Sequence, residues 1–209
     1  MAGVESLDEL LQDELKDLYD AEKQLTKALP KLAKKASNEE LRQAFEEHLR
    51  QTEQHIERLE QAFEQLDVPA KGKKCEGIRG ILQEGESQLR EAEDDATRDA
   101  LMIASAQKVE HYEIAAYGTV RTWANRLGRN EVASLLEETL EEEKETDKKL
   151  TQIAESIVNP EAAEGAGEGE EEEPAGRSRS AGRSARAPMS RTGRQVAADR
   201  GSRSRSRSR

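Results

Sequence analysis

Apolar residues recur at three- and four-residue spacing in four long runs of the chain, and this spacing predicts four amphipathic helices. In the first, Leu7, Leu11, Leu18, Leu25, Leu29 and Leu32 share a stripe that starts behind a Ser6 cap, with Glu9 as its capping-box partner, and runs to about Lys35. Pro30 predicts a kink or a break near its last turn. A second run opens at Ser37, with Glu40 as box partner, carries Leu41, Phe45, His48, Thr52, Ile56, Leu59 and Phe63, and ends near Leu66 before the turn-like AKGKK. The third spans about Thr97 to Leu127 and is closed by Gly128, with Met102, Ala106, Val109, Glu113, Val120, Ala124 and Leu127 on one line. The fourth spans about Asn130 to Val158, is stopped by Asn159-Pro160, and aligns Val132, Leu136, Thr139, Glu143, Leu150, Ala154 and Ile157.

Between the second and third runs, Cys75 to about Asp94 has weaker periodicity and three glycines, Gly77, Gly80 and Gly85, which predicts a short helix and a connection. A link of roughly 25 residues is too long for an antiparallel turn and suits a crossover that sets the third long helix parallel to the second. The fold class is therefore all-α, a four-helix bundle with an extra helix in its crossover.

The stripes are not purely apolar, and the exceptions carry the chemistry. Glu113 and Glu143 sit at the centres of their stripes. Glu22 lies about 40° from the centre of the first, with Glu14 on its other side, and His48 and Thr52 interrupt the second. An unpaired carboxylate taken out of water costs several kcal/mol, so each needs a partner. Facing carboxylates and imidazoles in a bundle core suit cations, and a donor set rich in oxygen with some nitrogen suits iron or manganese in a dinuclear site, in which Glu113 is expected within metal-bridging reach of both Glu22 and Glu143. The other reading of Glu113 and Glu143 is a hydrogen-bonded network with the tyrosines and threonines, and that of His48 is a core histidine bonded to Thr52 or a carboxylate. Glu14, Glu110 and Asp147 lie far enough off centre to be either ligands or solvated flank residues. His55 is read as a rim residue, and His111 points about 160° from Glu113 and faces outward.

Composition separates the chain into parts. Aromatic residues make up 3% and charged residues 37% of 209 residues, so the core must come from Leu, Ala, Ile and Val on helices. Residues 175–209 hold eleven arginines, no lysine and one acid, Asp199; this +10 segment inside a −11 chain leaves −21 for residues 1–174. The expected organisation is a bundle over 1–159, an acidic disordered linker over 160–174 and a disordered Arg/Ser tail over 175–209. The guanidiniums of Arg177–Arg209 suit electrostatic attachment to nucleic acid; the other readings of this segment are self-association with the chain's own acidic linker and body, or a phosphorylation-controlled segment. Cys75 is the lone cysteine and excludes an internal disulfide. The acidic N-terminus lacks signal-peptide character and no run approaches a membrane span, so a cytoplasmic protein without a membrane partner is expected.

Four blocks in order, LYDAEKQLTKALPKLAKKA, the AF..HL..T..H...RLEQ pattern, QKVEHYEIAAYGT and LLEETLEEEKETDKKLT, resemble the YciE/YciF family of ferritin-like bacterial stress proteins over about Glu5 to Asn159. The resemblance implies a ferritin-like four-helix bundle, a homodimer, and a di-iron-type centre involved in oxidant or metal handling. By matching position it carries over Glu22 in DAEKQL, Glu110 and Glu113 in VEHYE, and Glu143 with Asp147 in EEEKETD. The chain departs from the usual ferritin-type pattern of Glu-x-x-His on two helices: Phe45 precedes His48, Thr52 precedes His55, and Gln51 stands where many relatives have a carboxylate.

Overall fold

The structure, a computed structural model, describes residues 5–165. Helix α1 (Leu7–Lys35) starts as its sequence predicts, with Ser6 Oγ accepting from Glu9 N at 3.1 Å, and Pro30 does not break it. Helix α2 (Glu39–Gln65) is capped by Asn38, not by Ser37: Asn38 Oδ1 accepts from Leu41 N at 3.0 Å. Ser37 is occupied elsewhere, because the buried carboxylate of Asp99 accepts from Ser37 N, Ser37 Oγ and Asn38 N at 3.1, 2.7 and 2.7 Å. Two adjacent residues with N-cap chemistry are thus sorted by a carboxylate far along the chain, on a later helix.

The crossover holds α3 (Glu76–Gln88), and Cys75 Sγ accepts from Ile78 N at its start. Cys75 is buried, which pushes its thiol up, and its place is structural. Helix α4 (Asp95–Arg126) begins two residues earlier than its spacing predicts, on the Asp94 cap, and Gly128 follows it at φ +71°. Helix α5 (Asn130–Ile153) passes into a π turn (Ala154–Val158) and then α6 (Asn159–Gly165). The expected stop at Asn159-Pro160 does not occur: Asn159 N–H bonds Ala154 O across the wide turn, and Pro160 falls in the first turn of α6, where a missing N–H is tolerated. Beyond residue 165 the expected acidic linker and the Arg/Ser tail lie outside the described residues.

Side-chain pairs fix the topology. Tyr19 meets Glu60 and Glu22 meets His55, so α1 and α2 are antiparallel. Asp17 meets Tyr112 and Asp8 meets Arg129, so α1 and α4 are antiparallel. Arg58 meets Glu142 and His48 meets Thr146, so α2 and α5 are antiparallel. Helices α2 and α4 therefore run parallel on opposite corners, as the long crossover predicts, and the architecture is a ferritin-like four-helix bundle. Its core is in two parts. Leu25, Leu29, Phe45, Met102, Val109 and Leu150 belong to one, and Leu11, Leu15, Phe63, Tyr117, Val120 and Leu136 to the other. Between them lies a layer of buried polar side chains. Among the described residues no helix is long and apolar enough to cross a membrane.

Candidate metal centre

Each long helix puts at least one donor into this layer: Glu22 from α1, His48 and His55 from α2, Glu110 and Glu113 from α4, and Glu143 from α5. They reach it because helical spacing repeats each stripe every turn, so an acid at stripe centre enters the core with its apolar neighbours. All six are buried, Glu22, His55, Glu113 and Glu143 completely. Three of the placements differ from expectation. His55, read as a rim residue, is fully buried, since the buried arc of α2 runs through Thr52, His55 and Leu59 and leaves Ile56 at its edge. Asp147 stays on the flank, where its carboxylate accepts from Gln107 Nε2 at 3.1 Å and meets the exposed His111 at 3.4 Å. Glu113 shares a group with Glu143 but not with Glu22; Glu143 is the residue common to both groups.

The donors fall into two sets. Ligand atoms of His48, Glu110, Glu113 and Glu143 lie within 4.8 Å of one another, as do those of Glu22, His55 and Glu143. His48 Nε2 stands 3.3 Å from Glu110 Oε1 and 3.9 Å from Glu143 Oε2. His55 Nδ1 stands 3.0 Å from Glu143 Oε1 and 3.5 Å from Glu22 Oε1. These approaches are close but not aligned as hydrogen bonds. Ten buried side-chain atoms among the described residues lack a hydrogen-bond partner, and nine belong to this layer: Glu22 Oε2, His48 Nε2, Thr52 Oγ1, His55 Nδ1, Glu110 Oε2 and both oxygens of Glu113 and Glu143. Buried polar atoms are as a rule satisfied, so such a concentration of unpartnered donors is a group that could hold a metal ion.

The surroundings orient the donors. His55 Nε2 lies 2.8 Å from Glu142 Oε2, and Arg58 clamps that carboxylate with bonds of 2.7 and 2.8 Å. Arg58 and His55 hold Glu142 below the usual carboxylate range against its partial burial. A proton on Nε2 for Glu142 leaves Nδ1 of the neutral ring with its lone pair facing Glu22 and Glu143, which is the carboxylate–histidine arrangement of metal sites. Tyr117 OH donates to Glu22 Oε1 at 2.5 Å and leaves Oε2 free.

Without a cation, the charges strain against each other. Burial, then the neighbouring carboxylates, pushes Glu110 and Glu113 well above the usual range. Burial also raises Glu22, against the pull of His55. Although burial opposes its charge, contact with Glu143 and Glu22 lifts His55 to about 11. Burial likewise opposes the charge of Glu143, but His55 and then His48 keep it lowered.

The family model described as a domain of unknown function, DUF892, matches residues 6–163. The chain belongs to the DUF892 family. YciF of Escherichia coli K12 is 47% identical over 149 residues, which cover 71% of this chain and 90% of that protein. The crystal structure of the E. coli stress protein YciF aligns with a TM-score of 0.71 at 48% identity, covering 75% of this chain and 99% of its own. YcfI from Rhodopseudomonas palustris aligns with a TM-score of 0.71 at 41% identity, covering 72% and 96%. Within this DUF892 chain, the absent Glu-x-x-His pairs are made good in number. Four carboxylates and two imidazoles remain, the inventory of a dinuclear carboxylate bundle, with both histidines moved onto α2 two turns apart and two glutamates onto α4. The sequence carried that signal as His48 and His55 seven residues apart on one face.

Proposed function

We propose that this protein binds two first-row transition-metal ions, iron or manganese, in the centre of its bundle and uses them in oxidant or metal handling in the cytosol. The concentration of unpartnered donor atoms in one buried layer supports this reading most strongly. Four ionised glutamates and two divalent cations sum to neutrality, which removes the charge burial that either alone would impose. His48, Glu110 and Glu113 hold one ion and Glu22 and His55 the other, with Glu143 shared between them. A bound pair of redox-active ions would supply the electrons that reduce an oxidant. The chain's own groups do the rest. Arg58 and Glu142 keep the His55 lone pair inward, Tyr117 fixes the rotamer of Glu22, and the apolar clusters above and below limit water. Loading must also displace the protons that burial holds on Glu110 and Glu113.

Metal content of protein purified without chelator, compared with a Glu22→Ala, Glu113→Ala, Glu143→Ala triple variant, tests this. Iron or manganese near two per chain in the parent and near zero in the variant is expected; the same negligible content in both would refute it.

A second reading comes from the charge of the C-terminal region and from the structural role suggested for R. palustris YcfI: a metal-free homodimeric scaffold whose tail recruits nucleic acid. Eleven arginines give an affinity that falls steeply with salt. Comparing the full chain with one ending at Pro160 over a salt series decides it, since equal DNA binding by both removes the tail from the account.

A further inference from the structure

The cluster is sealed almost everywhere, and the exception has a defined place. Of the six donors, His48 is the most exposed at 3%, against 1% for Glu110 and 0% for the others. Its Nε2 faces the carboxylates, while its Nδ1 lies 3.4 Å from Thr146 Oγ1, on the side away from them. Thr146 also donates to Gln51 Oε1 at 3.5 Å. Just outside this contact, between α2 and α5, lies a cavity of about 100 Å³ whose walls include Ala44, Gln51 and Thr146. One water needs roughly 10–15 Å³, so the cavity admits several waters or a partly hydrated ion and no large organic molecule.

The rim of this cavity bears two carboxylates, Glu47 and Glu145, and one ammonium, Lys149. Lys149 of α5 pairs with Glu47 of α2 and so straps the mouth from one helix to the other. Both partners are about half exposed, and an exposed pair of this kind is weak and opens readily, more so in salt. The other outward contact of the cluster runs through His55 to Glu142, and there Arg58 closes the way with its two-pronged bond.

We propose that the α2–α5 cleft outside His48 is the port through which divalent cations reach the buried donors, with Glu47 and Glu145 drawing them in and the Glu47–Lys149 pair as its strap. The proposal rests on the metal reading above. A cation arriving at Thr146 and Gln51 meets oxygen atoms that replace part of its hydration shell, and the His48 ring, whose Nδ1 faces the cleft and Nε2 the carboxylates, must turn to pass it inward. Gln51, a neutral oxygen donor where a carboxylate is expected, offers that exchange without trapping the ion.

The test is the rate at which the full, metal-free chain takes up Co(II), followed by its ligand-field absorption, together with the final stoichiometry. Gln51→Trp, which fills the cleft without touching a donor, is expected to slow uptake about tenfold and leave the stoichiometry unchanged, as gating residues do. Lys149→Ala is expected to speed uptake, with the gain fading at high salt, and Lys149→Arg to restore the parent rate. Parent-like rates in both Gln51→Trp and Lys149→Ala, at full stoichiometry, would overturn the port while leaving the metal centre standing. No Co(II) uptake by the parent chain would overturn both.

Discussion

Glu113→Met should make the metal-free protein more stable and at the same time empty the site flanked by His48 and Glu110. Glu113 is fully buried, neither of its oxygens has a hydrogen-bond partner, and burial, then the surrounding carboxylates, drives its pKa upward. In the absence of a cation these atoms only cost free energy. A side chain of similar length without them should gain about 1–3 kcal/mol, seen as a higher midpoint in thermal or urea unfolding. The same change removes a donor, so metal bound per chain should fall by at least one ion. If Glu113 instead belonged to a satisfied hydrogen-bond network, the substitution would break that network and lower stability. The sign of the shift therefore separates the two readings that the sequence left open for Glu113.

Stability of the metal-free protein should fall as pH rises from about 4.5, and added metal should reverse that slope. The folded-state pKa values of Glu22, Glu110 and Glu113 lie above the unfolded value of 4.5, so the folded state holds more protons and the stability they contribute is lost as pH climbs through those raised values. His55 acts in the same direction at higher pH. Raised from 6.5 to about 11, it contributes stability that is full below 6.5 and lost as pH rises toward 11. Glu143 is lowered, so its contribution is complete above 4.5 and is lost only on acidification. Metal affinity runs the other way, because cations displace those same protons and bind more tightly as pH rises. Unfolding midpoints measured from pH 5 to 9, with chelator and with Mn(II), should diverge as pH rises. Parallel curves would mean that the buried acids and the cation are not linked.

Much of this centre was legible because a helix repeats its stripe faithfully: Glu113, Glu143, His48 and Glu22 stand among apolar residues at helical spacing, and all four are buried. The fold followed from the same periodicity and from the long link around Cys75. Where the reading went astray, a distant residue or a small rotation decided the matter. His55 lies beside the line drawn through Thr52 and Ile56, and the bundle turns α2 just far enough to bury the histidine in place of the isoleucine. Asp147, one turn beyond Glu143, is taken by Gln107 of α4, a partner no local pattern reveals. Ser37 and Asn38 are equivalent as caps until Asp99 claims the first. The helix ran past Asn159-Pro160 because a π turn resets the hydrogen bonding just before the proline. Glu142, which with Arg58 orients His55, sits in a charged run that reads as solvated surface, and nothing in its spacing distinguishes it from neighbours such as Glu141 or Glu145.

The central claim is that two cations share Glu143. Anomalous diffraction from crystals grown with Mn(II) tests it directly. Two peaks separated by about 3.5–4 Å are expected, the usual spacing of a dinuclear pair, one beside Glu22 and His55 and the other beside His48, Glu110 and Glu113, with Glu143 between them. A layer without anomalous density, its carboxylates bonded to one another or to water, would contradict the account.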